Sequence, residues 1–128
     1  MKKAHFKDIT LDPLVAEGFV NMAIGSFTHF ADAPLNCSVS IIKLEDGSTP
    51  YHNHEHANQH EIIFALSGRG ILKTDDKEEE VREGDILYFA PNESHQVECP
   101  GSSIVVASIH INATVVSQRF HTKMEIPS

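Results

Sequence analysis

Helical periodicity is nearly absent from this sequence, as are cysteine clusters, long apolar runs and any excess of positive charge. Two cysteines, Cys37 and Cys99, in 128 residues do not make a disulfide framework, so reduced thiols and a cytoplasmic setting are expected. The opening "MKKAHFKDIT" has lysines but no apolar stretch behind them, so no signal peptide is expected. No apolar run approaches the roughly 20 residues that cross a bilayer. Ten Lys and Arg stand against 18 Asp and Glu, a net charge of −8. Phosphate backbones and anionic membrane surfaces need a basic face, so neither nucleic acid nor membrane is an expected partner. No internal repeat or low-complexity tract is visible. The helix signal is confined to "DPLVAEGF" (12–19), where Asp12 would cap and Pro13 would open a single turn.

What the sequence does have is a succession of short β-branched, apolar runs punctuated by turn residues. "GFVNMAIGSF" (18–27), "CSVSIIKLEDG" (37–47), "EIIFALSGRGILKT" (61–74), "EVREGDILYFAPNESHQVEC" (80–99) and "SSIVVASIHI" (102–111) read as strands. Asp46-Gly47, Glu83-Gly84 and Pro91-Asn92 mark turns, and Gly68 and Gly70 interrupt the third run. The acidic run from Asp75 to Glu83, interleaved with Lys77 and Arg82, reads as a solvated hairpin tip. Turn signals at this spacing, with little helix, predict one all-β domain over 1–128, a sandwich or a barrel.

The stretch "HNHEHANQHE" (52–61) carries four histidines and two glutamates. In a strand, residues two apart share a face, so His54 and His56 project together, and His52 joins them if the strand begins early enough. Glu61 has the opposite parity and reaches the same place only if "ANQH" (57–60) turns the chain. Further on, "GDILYFAPNESHQV" (84–97) ends in a lone histidine. Were His95 on a neighbouring strand facing the same interior, it would add a third imidazole. The competing reading is that these histidines are solvated, or that the site has lost its ion.

These residues resemble the two motifs of the cupin superfamily. The first is a glycine, five or six residues, HxH, three or four residues, Glu, six residues and a glycine. Here Gly47, His54-Glu55-His56, Glu61 and Gly68 fall into that register. The second is a glycine, five residues, PxG, two residues, His, three residues and Asn. Gly84 and His95 match it, while Ala90, Asn92 and Cys99 stand where Pro, Gly and Asn are usual. Asn tolerates the left-handed backbone such a turn needs. The motif core spans 47–99. The resemblance implies a double-stranded β-helix, or jelly-roll barrel, in which His54, His56, Glu61 and His95 hold one divalent transition metal. Imidazole and carboxylate suit Mn, Fe, Co, Ni, Cu or Zn. His52 and His60 would lie just outside that set or be exposed.

Alternation extends the site. With Glu61 inward, Ile63, Ala65 and Ser67 follow; with His95 inward, Val97 and Cys99 follow. His110 shares a face with Ile104, Val106 and Ser108 and would serve as an acid or base. Tyr51 and Tyr88 are further candidates. These residues would line a mostly apolar pocket for a small-molecule ligand or substrate. Ile62, Phe64 and Leu66, on the opposite face, require a second layer or another subunit, and resemblance to small cupins favours a homodimer. The expected function is a metal-dependent enzyme acting on a carboxylate, keto acid or sugar-like molecule by isomerase, lyase or decarboxylase chemistry. An Fe(II) dioxygenase and a non-catalytic sensor or binding protein are the alternatives. A DNA-bound regulator is disfavoured by charge and by the lack of a helix-turn-helix. A storage role is disfavoured by the lack of a signal peptide and a second domain.

Overall fold

The computed structural model describes residues 3–14, 21–28, 37–48, 51–52 and 59–112. Nine strands lie among them: β1 (Asp12–Pro13), β2 (Met22–Thr28), β3 (Cys37–Leu44), β4 (Tyr51–His52), β5 (Gln59–Lys73), β6 (Glu78–Arg82), β7 (Ile86–Phe89), β8 (Gln96–Glu98) and β9 (Ile104–Asn112). The described helical structure is one 3-10 turn, Phe6–Asp8. Every strand pairing is antiparallel. One sheet runs β1-β2-β3-β9-β5-β7 and the other β4-β8-β5-β6, so β5 belongs to both. This is the jelly-roll barrel expected from the sequence.

The sharing explains why a 15-residue strand survives two glycines. The sequence suggested a break at Gly68 and Gly70, but the strand instead turns a corner there. Residues 59–68 pair with β7 and β9, while 69–73 pair with β6 and β8. Register slips between Ala65 and Ser67, a bulge that bends the strand. At Gly68 φ is +78°, and a Cβ would stand 2.1 Å from the Ser103 carbonyl oxygen. Only glycine fits that close approach.

Inward positions of both sheets alternate with outward ones, as strand geometry requires. Ile63, Ala65, Leu72, Val81, Phe89, Val97, Ile104 and Val106 meet Met22, Ile42 and Leu44 in one core. Each large aliphatic side chain buried there contributes roughly 1.5–3 kcal/mol. Carboxylates 75–80 around the β5–β6 hairpin are exposed, as expected.

The helical turn expected to open at Asp12 is not what forms. Asp12 and Pro13 pair with Ile24 and Ala23 as an edge strand, and Leu14 N–H donates to the Met22 carbonyl at 2.9 Å. An edge tolerates the missing proline N–H, and the remainder of that stretch, 15–20, lies outside the described residues.

Candidate metal centre

Four neighbouring strands set the scene. In register across β3, β9, β5 and β7, Ser38 faces His110, His110 faces Glu61 and Glu61 faces Phe89. Positions opposite one another share a sheet face, so this row looks into the barrel. Glu61 is 2% exposed, and Ser38 is buried as well. A buried carboxylate requires polar partners. Ser108, two residues before His110 on the same face, donates its hydroxyl to Glu61 Oε2 at 2.5 Å. His110 Nε2 lies 3.3 Å from the same oxygen. The other oxygen, Oε1, faces His95 Nε2 at 2.8 Å.

His95 is delivered by a tight turn. Pro91 is the second residue, Asn92 the third with φ +66°, and Glu93 N–H closes onto the Ala90 carbonyl at 3.1 Å. That is the pattern of a type II turn, and it explains why Asn serves where the motif usually has glycine. Glu93 Oε1 accepts from Ala90 N–H at 2.9 Å, bracing the turn. The His95 ring stacks on Phe89, centroids 3.7 Å apart and planes within 6°. His95 Nδ1 sits 3.3 Å from the Glu93 carbonyl oxygen. A carbonyl only accepts, so Nδ1 is the donor in that contact and Nε2 is the ring nitrogen turned to Glu61.

His95 Nε2 and Glu61 Oε1 therefore face each other in a buried place. Such a contact is favourable when a cation, either a proton or a metal ion, lies between or beside them. Cis donors each about 2.1 Å from one octahedral ion stand roughly 3.0 Å apart, close to the separation found here. The space bounded by Gln59, Glu61, Phe89, Ala90, Asn92, Glu93 and His95 is about 10 Å³, the size of one small particle rather than a substrate. Glu61 and His95 thus fit a divalent metal as half of a donor set. Among the described residues alone, no group of three such side chains encloses an ion. His54 and His56 lie outside the described residues. The described chain leaves β4 at His52, opposite Gln96, the residue that follows His95 in the chain, and resumes at Gln59, two residues before Glu61.

The other candidates divide. Ile63, Ala65 and Val97 are buried in the core below Glu61, Ser67 is half-buried past the bulge, and His110 contacts the carboxylate directly. Cys99 is buried elsewhere, its Sγ 3.7 Å from the Arg69 carbonyl. It borders a surface hollow with Asp46, Gly47 and Pro100. Burial pushes its thiol pKa up. His60 is on the outer face, its Nδ1 2.5 Å from the Tyr88 hydroxyl. Desolvation, with Glu93 nearby, raises the Tyr88 pKa. His52 and Tyr51 are placed only by register, opposite Gln96 and Val97. Sequence reasoning named Ser108 only as a neighbour of His110 and missed Ser38 and Phe89. The period-2 pattern was the available signal, but their relation to Glu61 depends on strand register.

Comparison with known proteins agrees with this architecture. The model of the Cupin domain family matches residues 40–112, more than half of the chain. The chain belongs to the cupin family. Among curated relatives, an oxalate-binding protein from Thermotoga maritima is 31% identical over 62 residues, 48% of this chain and 50% of that protein. The chain matches half or less of the length of such curated relatives. Among solved structures, the polyketide cyclase RemF from Streptomyces resistomycificus superposes with a TM-score of 0.71 at 23% identity, covering 87% of this chain and 79% of that one. A predicted oxalate decarboxylase from Thermotoga maritima gives 0.68 at 18% identity, covering 84% and 96%. At such identities the structural likeness speaks for the cupin fold. No helix among the described residues is long and apolar enough to cross a membrane.

Proposed function

We propose that this cupin holds one divalent transition-metal ion through His54, His56, Glu61 and His95 and uses it on a small polar molecule. The observation that carries the reading is the buried Glu61–His95 pair, 2.8 Å apart, with Nδ1 of His95 turned to a carbonyl and Nε2 turned to the carboxylate. When bound, a divalent ion would supply Lewis acidity toward a carboxylate or carbonyl oxygen. The chain's own contributions are distinct. Phe89 holds the His95 ring in plane. Ser108 and His110 fix the Glu61 carboxylate. His110, at the rim of the buried row, brings its Nε2 within reach of Glu61 Oε2. The reaction class we favour is isomerase, lyase or decarboxylase chemistry on a carboxylate, keto acid or sugar-like substrate, with an Fe(II) dioxygenase as the alternative. The relation to an oxalate-binding protein favours a further reading, non-catalytic binding of a small dicarboxylate. We also propose a homodimer in a reducing compartment, built on the outward apolar surface of β5 and β7.

Elemental analysis of the purified protein tests the metal centre. About one ion per chain is expected, with occupancy falling sharply in His56→Ala and His95→Ala while the β-sheet circular dichroism persists. Full occupancy in both variants would overturn the assignment. Turnover of keto acids, sugars and catechols with and without oxygen then separates the reactions. Tight oxalate binding without turnover would select the binding protein.

A further inference from the structure

We propose that Ser108 is a positioning residue that makes Glu61 a one-oxygen ligand. Its hydroxyl, together with His110, engages Oε2 and leaves Oε1 as the donor beside His95. This rests on the reading of Glu61 as a metal ligand and deepens it.

A carboxylate can bind an ion through one oxygen or through both, and the choice depends on what holds the second oxygen. Here the second oxygen is committed. Ser108 is fully buried, so its hydroxyl has no water to turn to, and Glu61 Oε2 at 2.5 Å is its acceptor. His110 is directly opposite Glu61 in the β5–β9 register, and its Nε2 approaches that same oxygen at 3.3 Å. Both contacts come from β9, a strand paired along its whole length with β5 and along all but its last residue with β3. The carboxylate is thereby fixed against rotation about its last side-chain bond. Oε1 alone is turned to the His95 side. A one-oxygen carboxylate occupies one coordination position where a two-oxygen carboxylate would take two, so the clamp keeps a position open for substrate.

Cobalt(II), added to the metal-free full-length protein, is the probe, read by calorimetry and by its visible d–d absorption. In Ser108→Ala the affinity is expected to fall about 10- to 100-fold. The absorption bands are expected to change shape and intensity as the released carboxylate swings to bind through both oxygens. Ser108→Gly, which likewise lacks the hydroxyl and adds no new metal ligand, is expected to show the same loss and carries the comparison should the alanine variant fail to fold. A variant with wild-type affinity and wild-type bands would overturn the clamp. If that variant retains both while His95→Ala loses cobalt, the metal reading stands and only the clamp is lost. If the wild-type protein itself takes up no cobalt, the metal reading falls and the clamp falls with it.

Discussion

Glu61 and Cys99 are both buried ionisable residues, yet their surroundings give them opposite chemistry. Glu61 is met by a hydroxyl and two imidazoles. Around Cys99, burial, with the Asp46 and Glu98 carboxylates nearby, outweighs the hydrogen bonds from Ser102 and the Ile104 backbone, so the neutral form is favoured and the thiol pKa rises above the ordinary value. Thiolate is the reactive species. Alkylation with iodoacetamide at neutral pH is therefore expected to label half-exposed Cys37 well before Cys99, as followed by mass spectrometry. Equal labelling rates would contradict the burial argument. The same shift has a sign for stability. The unfolded thiol ionises first as pH rises, so Cys99 contributes fully below roughly pH 8.5 and its contribution is lost as pH climbs through the higher folded value. At this scale the sequence was legible where identity decides chemistry: Glu61 and His95 were named from their type and spacing. Ser108 was not, because a serine among Ile, Val and Ala carries no signal until a partner on another strand is known.

Strand β5 is the element on which the site and the core both depend. Its alternation could be read directly, since Glu61, Ile63 and Ala65 are buried while Phe64 is exposed. Its length could not. Gly68 looks like an interruption in a one-dimensional pattern, and only the approach of Ser103 from β9's approach segment reveals a corner. Gly68→Ala is expected to cost more than about 2 kcal/mol, combining the left-handed backbone penalty with overlap against main chain. Gly84→Ala is the matched control. Its φ is +92° but nothing lies within 4 Å of the added Cβ, so only the conformational penalty remains. Urea denaturation of both variants measures the difference, and equal losses would remove the steric argument. Edge strand β1 was illegible for a related reason: Asp-Pro is a good helix start locally, and the pairing with β2 that overrides it is a tertiary event.

For the molecule as a whole, one surface is out of keeping with a net charge of −8. Ile86 is 60% exposed, and Phe64 and Tyr88, both partly exposed, lie beside it on the paired strands β5 and β7. Contiguous outward apolar residues on a sheet usually mark an interface. With a second copy as the proposed occupant, Ile86→Asp is expected to convert a dimer to a monomer in sedimentation equilibrium while leaving the Glu61–His95 centre folded. A wild-type protein that sediments as a monomer would sink the homodimer. The two apolar faces of β5 made this surface visible in sequence. Its extension onto Ile86 and Tyr88 needed the register between β5 and β7.

The membership of β5 in both sheets also limits how the chain could be rearranged. New termini placed inside that strand would deprive both walls of the barrel of a member in a single cut. The hairpin at 74–77, where the described backbone bond links Thr74 to Lys77, interrupts neither wall. A circularly permuted version of this protein should therefore begin and end at the acidic hairpin, with the segment from Gln59 to Lys73 kept unbroken.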